Sequence, residues 1–274
     1  DFDKTKDAVA YEDLKGSDKY LLVRLNQVIQ SVREAYDRYN FMEVYRTIFN
    51  FLTNDMSAFY LDFAKDIVYI ETANSTDRRR MQTVMYEILV KLTKLLVPIV
   101  PHTSEEIWTY LEQEEEAYAY LTEMPSADVI PDAAEILDFW SAFLEFRTGV
   151  HKALEMARDE KVIGKSLEAS VMVYPDEAVK VLLASVAETE DVATLLIVSE
   201  LIVSDQAAPE DAVKVGDTAI TVNHAVGGVC QRCRRIDESV GTNANAHLVE
   251  LCEHCASIVT LEFPEAAAEG FESK

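Results

Sequence analysis

All four cysteines of the chain lie near its C-terminal end, in two identical C-x-x-C pairs: Cys230 and Cys233, then, eighteen residues on, Cys252 and Cys255. A C-x-x-C turn places two thiolates on one side of a tight backbone knuckle. Two knuckles bring four sulfurs to the corners of a tetrahedron, the geometry Zn2+ accepts in closed structural sites. The intervening length falls within the usual spacing for such sites. Iron in a rubredoxin-like site uses the same ligand set. Two disulfides are the bland alternative, and no signal peptide or secretory pattern favours them. A redox-active C-x-x-C is weaker still, because neither pair sits in a thioredoxin-like βαβ pattern. His247 and His254 compete as ligands only on sequence proximity, since four cysteines already close the site. A metal held there has no open coordination position, so it staples a fold and performs no chemistry.

At 274 residues the chain has the length of about two domains. Its 49% hydrophobic content, with only 8 Gly and 7 Pro, predicts a globular, helix-rich protein. No apolar run reaches the roughly 20 residues that span a bilayer, and reduced, metal-spaced cysteines predict a cytoplasmic protein. A net charge of −24 argues at first against a nucleic-acid partner, but the charge is unevenly spread. Residues 1–100 carry 14 Lys+Arg against 15 Asp+Glu, residues 101–225 carry 7 against 26, and residues 226–274 carry 4 against 8. The acidity is concentrated in the middle, which leaves the first and last parts able to hold a polyanion. A solvated acidic surface that keeps the protein soluble explains the same charge.

Residues 1–16 open without an initiator Met or a targeting pattern, as in an excised fragment. Ser17 or Asp18 is placed to cap a helix whose apolar positions run Leu21, Leu25, Val28, Ile29, Val32, Tyr36 and Tyr39. A second helix is expected over 41–61, with Val44, Tyr45, Ile48, Phe49, Leu52, Met56 and Phe59 on a stripe that reads as core more than as a base-stacking platform. A third spans about 77–97 and stops at Pro98. Thr103 and Glu106 have capping-box spacing for a fourth. Glu112, Glu114, Glu115 and Glu116 read as an exposed helix end or loop. A long helix is expected over 132–159, then strands at 170–174 and from Leu196–Val198 through Leu201–Val203 with a helix at 176–187 between them, and a strand through Ile220, Val222 and His224. The expected fold is mainly α: an antiparallel helical bundle (1–125), a long helix with a small mixed α/β connector (126–225), a four-cysteine zinc-knuckle module (226–262) and a flexible tail (263–274).

Catalytic chemistry is hard to find. Gly164-Lys165-Ser166 ends like a P-loop, but position 159 is Asp where the first glycine belongs. His102, His151 and His224 are scattered singly, outside any nucleophile motif. Binding is the better class. Arg78, Arg79 and Arg80 begin the third helix, the wrong end for a positive cluster unless phosphates come there. Arg232, Arg234 and Arg235 are fixed to the first knuckle as candidate donors to phosphates or base edges. Lys161 and Lys165 flank the bend after the long helix. A protein-interaction module that docks through its acidic middle is the competing expectation.

Several blocks resemble a known family. The stretches DKYLLVRL at 18–25, FYLDFAKDIVY at 59–69, RRRMQTVMYEIL at 78–89 and LLVPIVPHTSEEIW at 95–108 are similar to the anticodon-binding bundle of class I aminoacyl-tRNA synthetases of the isoleucine, valine and leucine group. EKVIGKSLEA at 160–169 and the paired knuckles look like the bacterial isoleucine enzymes of that group, while no heptads support the coiled-coil arm of the valine enzymes. The resemblance covers about residues 11–262. It implies the tRNA-reading C-terminal part of a monomeric ligase that charges tRNA(Ile) with isoleucine using ATP. Catalytic and editing domains would lie upstream, since neither an H-x-G-H nor a K-M-S-K-S sequence occurs here, and ATP would be bound only by the full-length enzyme. By the same resemblance Cys230, Cys233, Cys252 and Cys255 match the ligands of one structural Zn2+, and Arg232 matches an arginine inside the first knuckle. The family commonly has Trp after the second cysteine, where this chain has Arg234. An arginine plane stacks on a base without filling the same apolar contact.

Overall fold

A computed structural model describes residues 1–111 and 114–269. They form two compact units, one from residues 1–64 and 73–138, the other from residues 65–72 and the chain from 139 onward. No helix among the described residues is long and apolar enough to cross a membrane.

The first unit is a helical bundle. Its elements are α1 (Gly16–Asp37), α2 (Phe41–Asn50), a π-helical run (Phe51–Tyr60), the first residues of α3 (Leu61–Val68), α4 (Thr76–Leu96) and α5 (Pro101–Thr109). The expected α1 stripe is buried at Leu21, Leu25, Val28, Ile29 and Val32. It ends sooner than expected: Tyr36 is half-buried with its hydroxyl donating to the Leu95 carbonyl at 2.8 Å, and Tyr39 stands exposed beyond the helix with φ 56°.

The start of α1 differs from the expectation in an informative way. Lys15 takes the N-cap, and Asp18, in the first turn, accepts the Lys15 backbone N–H at 3.1 Å. The same fully buried carboxylate accepts the Tyr60 hydroxyl at 2.6 Å and Arg80 Nη1 at 2.7 Å. Arg80 is itself buried and donates Nε to Asp77 at 2.8 Å. Burial disfavours its charge, but the Asp18 and Asp77 carboxylates outweigh that, and its pKa is raised. Arg80 therefore ties α4 to α1, which removes it from the expected phosphate-binding cluster. Arg78 and Arg79 are occupied too, Arg78 on the Asp1 carboxylate at 2.6 Å and Arg79 on the Asp1 carbonyl at 2.8 Å.

The second expected helix is three segments in series. From Phe51 onward, buried positions recur every four to five residues, at Phe51, Asp55 and Met56, Phe59 and Tyr60. That is the repeat of i→i+5 bonding, not of an α-helix. The wider turn aims Asp55 at α1, where it accepts Arg24 Nε at 2.9 Å and the Tyr20 hydroxyl at 3.2 Å. In α2 only Val44 and Ile48 are buried; Tyr45 and Phe49 are more than half exposed. Of the expected core stripe, Tyr45, Phe49 and Leu52 thus face solvent. In α5, Pro101 occupies the first turn and Val100 the N-cap, so Thr103 lies inside the helix and the expected capping box does not form. Of the acidic run, Glu112 lies outside the described residues, and Glu114 is bound by Lys4 and the Tyr86 hydroxyl, each at 2.7 Å.

The second unit takes up α6 (Ala133–Asp159) from residue 139. It continues with β1 (Ala169–Tyr174), α7 (Glu177–Ala187), α8 (Val192–Leu196), β2 (Glu200–Val203), β3 (Val213–Val215) and β4 (Thr218–His224). The sheet order is β2-β1-β4-β3, with β1 and β2 parallel and the other pairs antiparallel. Val171 lies opposite both Leu201 and Val222. Gly149 lets the sheet edge approach α6, since a Cβ there would sit 2.4 Å from Val215 Cγ1. The expected strand at Leu196–Val198 is instead the end of α8. Asp191 caps that helix through the Ala193 N–H, and Ile197 turns left-handed at φ 58° to close it. The sequence-expected tail contains α10 (Pro264–Glu269), whose Ala267 is buried with its carbonyl accepting Asn245 Nδ2 at 2.8 Å; residues 270–274 lie outside the described residues.

Removing one partner of a buried ion pair leaves an uncompensated charge and costs about 3–5 kcal/mol. Arg80→Ala is therefore expected to lower the unfolding free energy of the first unit by that order in urea titration. Unchanged stability would contradict the structural role assigned here.

Candidate metal centre and the fate of the arginines

The two knuckles are built by different elements. The first is the turn of a short ribbon, β5 (Gly228–Val229) paired with β6 (Ile236–Asp237), closed by Cys230 N–H to the Arg235 carbonyl at 2.8 Å and Arg234 N–H to the Cys230 carbonyl at 2.9 Å. Gly227, at φ 124°, permits the ribbon to close, because a Cβ would lie 2.4 Å from the Asp237 backbone. The second knuckle is the N-terminus of α9 (Glu253–Glu262), with Cys252 as N-cap and Cys255 in the first turn. Free backbone N–H groups and the helix dipole favour thiolates there.

All four Sγ atoms lie within 4.8 Å of one another. Cys233 and Cys252 are 3.9 Å apart, close to the edge of about 3.8 Å for a tetrahedron of Zn–S bonds near 2.3 Å. A disulfide needs about 2.05 Å, and all four cysteines are free, so the two-disulfide alternative is not what the fold holds. Charge points the same way. Hydrogen bonding from Cys233, Cys252 and Cys255 pushes the Cys230 thiol far down, while contact with Cys230 pushes those of Cys233 and Cys255 far up. The four sulfurs thus interact too strongly to ionise independently in the absence of a cation. Four cysteines are thus positioned to hold a metal ion, amid a small core of Leu248, Leu251, Ala256 and Val259. Neither histidine takes part: His254 Nε2 faces Glu71 at 2.9 Å, and His247 is exposed.

The knuckle arginines divide by role. Arg232 donates Nη2 to the Ile70 carbonyl at 2.6 Å and points Nη1 at Cys255 Sγ, 3.8 Å away. Arg235 donates to Thr194 Oγ1 at 2.5 Å and to Asp191 at 3.3 Å, pinning the knuckle to α8. Both were expected to face RNA, and both are engaged inside the unit. Arg234 alone is exposed, on a left-handed backbone at φ 67°, donating to Gln231 of its own turn at 2.7 Å. It borders a cavity of about 580 Å3 with His247, Glu250 and Phe263.

The bend after α6 keeps both of its lysines at the surface. Lys161 closes the helix left-handed at φ 61°, with its N–H on Arg158 and that of Val162 on the Ala157 carbonyl, a position that usually carries Gly. Gly164 and Lys165 offer their backbone N–H groups to Glu168, at 2.6 and 3.2 Å, and these bonds lower its pKa. These N–H groups are thus taken by the chain's own carboxylate, in keeping with the missing first glycine of a P-loop. Arg158, exposed and bonded to Ser166 at 2.7 Å, adds a third cation that sequence reasoning passed over; its position in the last turn of a helix that leads into the two lysines was the available signal.

Loss of the Arg232 hydrogen bonds is expected to cost roughly 1–2 kcal/mol. Arg232→Ala should therefore melt lower and surrender bound metal to a chelator faster than wild type, whereas Arg234→Ala should do neither. Unchanged melting and chelator sensitivity in Arg232→Ala would contradict its anchoring role.

Residues 18–173 match the family model described as the anticodon-binding domain of tRNA ligase. The chain is 58% identical over 99% of its length to an isoleucine–tRNA ligase of Lactococcus lactis subsp. lactis and 55% identical over its full length to one of Streptococcus sanguinis. It spans 29% of the length of each of these curated relatives. Most of the bundle, the long helix α6, the bend after it and all but the last residue of β1 fall within the matched region, and the chain belongs to the anticodon-binding domain family of tRNA ligases.

Proposed function

We propose that the chain is the anticodon-reading C-terminal part of an isoleucine–tRNA ligase and grips the anticodon stem and loop of tRNA(Ile). The observation that carries this reading is the 58% identity to the Lactococcus protein across nearly the whole chain. In this reading, isoleucine activation with ATP, transfer to tRNA and editing belong to catalytic and editing domains of the same polypeptide, and the protein works as a cytoplasmic monomer. The metal is one Zn2+ per chain, held by Cys230, Cys233, Cys252 and Cys255. Four thiolates close its coordination sphere, so it supplies folding energy and leaves no site for substrate. The knuckle then serves as a rigid base for Arg234, while Lys161 and Lys165 approach phosphates from the bend after α6. The left-handed backbone at Lys161 supports a functional side chain, because glycine would adopt that conformation at lower cost.

Binding of the metal-loaded chain to tRNA(Ile) and to a non-cognate tRNA across a salt series tests the proposal. Preference for tRNA(Ile), with affinity falling steeply as salt rises, is the expected result. Equal, salt-insensitive binding of both RNAs would contradict it and favour a protein-docking role for the acidic middle of the chain.

A further inference from the structure

The exposed half of α2 and its π-helical continuation carries aromatic and apolar side chains into solvent. Its solvent side presents Met42, Tyr45, Phe49 and Leu52, between 41 and 59% exposed. Tyr45 and Phe49, one turn apart, hold their ring centroids at 5.6 Å with planes 27° from parallel, a stacked pair in open solvent. Beside them Arg46 is exposed, with no hydrogen-bond or ion-pair partner among the described residues. Asn50, Thr53 and Asn54 continue the face with neutral donors and acceptors.

What is missing from this face is as informative. The carboxylates between Phe41 and Leu61 are Glu43, held by Arg38 and Asn40, and Asp55, turned inward onto Arg24 and Tyr20. In a chain with 49 Asp and Glu among 274 residues, a helical face this long without an unpaired carboxylate is a local reversal of the overall charge. Aromatic rings interleaved with a free cation, on a surface cleared of negative charge, suit stacked bases and their phosphates. A protein-docking patch has no need to be cleared of acid in this way.

We propose that the outer face of α2 is a stacking platform for single-stranded RNA, with an unpaired base of the anticodon loop on the Tyr45–Phe49 pair and Arg46 against the adjoining phosphate. This rests on the reading above that the chain grips an anticodon stem and loop, and it assigns part of the loop contact to the first unit.

The test uses the metal-loaded 274-residue chain and an anticodon stem-loop RNA of tRNA(Ile) sequence carrying thiouridine in its loop, photocrosslinked and mapped by peptide mass. Crosslinks are expected on the peptide bearing Tyr45 and Phe49. The double variant Tyr45→Ala/Phe49→Ala should bind the same RNA about tenfold more weakly at an unchanged melting temperature. Arg46→Gln should reduce the slope of log affinity against log salt by about 0.7. Crosslinks confined to other peptides, with undiminished affinity in the double variant, would overturn the platform and leave the anticodon reading standing. Absence of RNA binding by the wild-type chain would overturn both. A double variant that keeps its RNA affinity but loses a protein partner would make this face a protein-docking surface and overturn the proposal.

Discussion

Four thiols cannot share so small a space as four negative charges. In this chain their sulfurs lie within 4.8 Å of one another, and their mutual contacts push the Cys230 thiol down and those of Cys233 and Cys255 up. A divalent cation at their centre removes that conflict, and much of the C-terminal architecture follows from satisfying it. The ribbon β5–β6 closes because its turn is a ligand loop, α9 begins where a ligand serves as its N-cap, and the Arg232 side chain reaches a ligand sulfur with one nitrogen and the Ile70 carbonyl with another. The hydrophobic core around the sulfurs is small, and cores of that size need a metal or a covalent link to stay folded.

A second buried charge organises the first unit. Asp18 collects the Lys15 N–H, the Tyr60 hydroxyl and the Arg80 guanidinium, which draws α1, the π-helical run and α4 together around one carboxylate. The two units share a habit: cations that look available in sequence are held inside the fold. Arg78, Arg79, Arg80, Arg232 and Arg235 all spend their donors internally. Cations exposed at the surface include Arg46, Arg234, Lys161 and Lys165. The proposed grip on RNA by so acidic a chain then relies on local clearings in its negative surface, not on a broad basic patch.

The metal centre was legible in the sequence because ligand spacing is a local property: each C-x-x-C fixes its own turn, and no distant residue alters which atoms it presents. The long helix α6 and the strands β1 and β4 were legible for a related reason, strong periodicity over an uninterrupted run. The residues that misled did so through tertiary partners. A triple arginine reads as a phosphate site until Asp18, 62 residues earlier, is found against Arg80. The 41–61 stripe reads at a period of 3.6, but α2 buries only its Val44 and Ile48 side, which leaves Tyr45 and Phe49 outside, and from Phe51 the π-helical run changes the period. Leu196-Ile197-Val198 has strand composition, yet the Asp191 cap and the left-handed turn at Ile197 decide the backbone there. Thr103 has capping-box spacing, but the helix starts at Pro101 with Val100 as its N-cap.

X-ray absorption at the metal edge of the purified chain tests the central claim most directly, because it reads the ligand shell without depending on RNA binding or on a substitution that unfolds the module. A zinc edge with a shell of four sulfurs at about 2.3 Å is the predicted result. A mixed sulfur and nitrogen shell would bring His247 or His254 into the site and contradict the closed four-cysteine centre. An iron edge would contradict the proposed Zn2+, and a chain that binds no metal while keeping its C-terminal fold would contradict the account of how that fold is held.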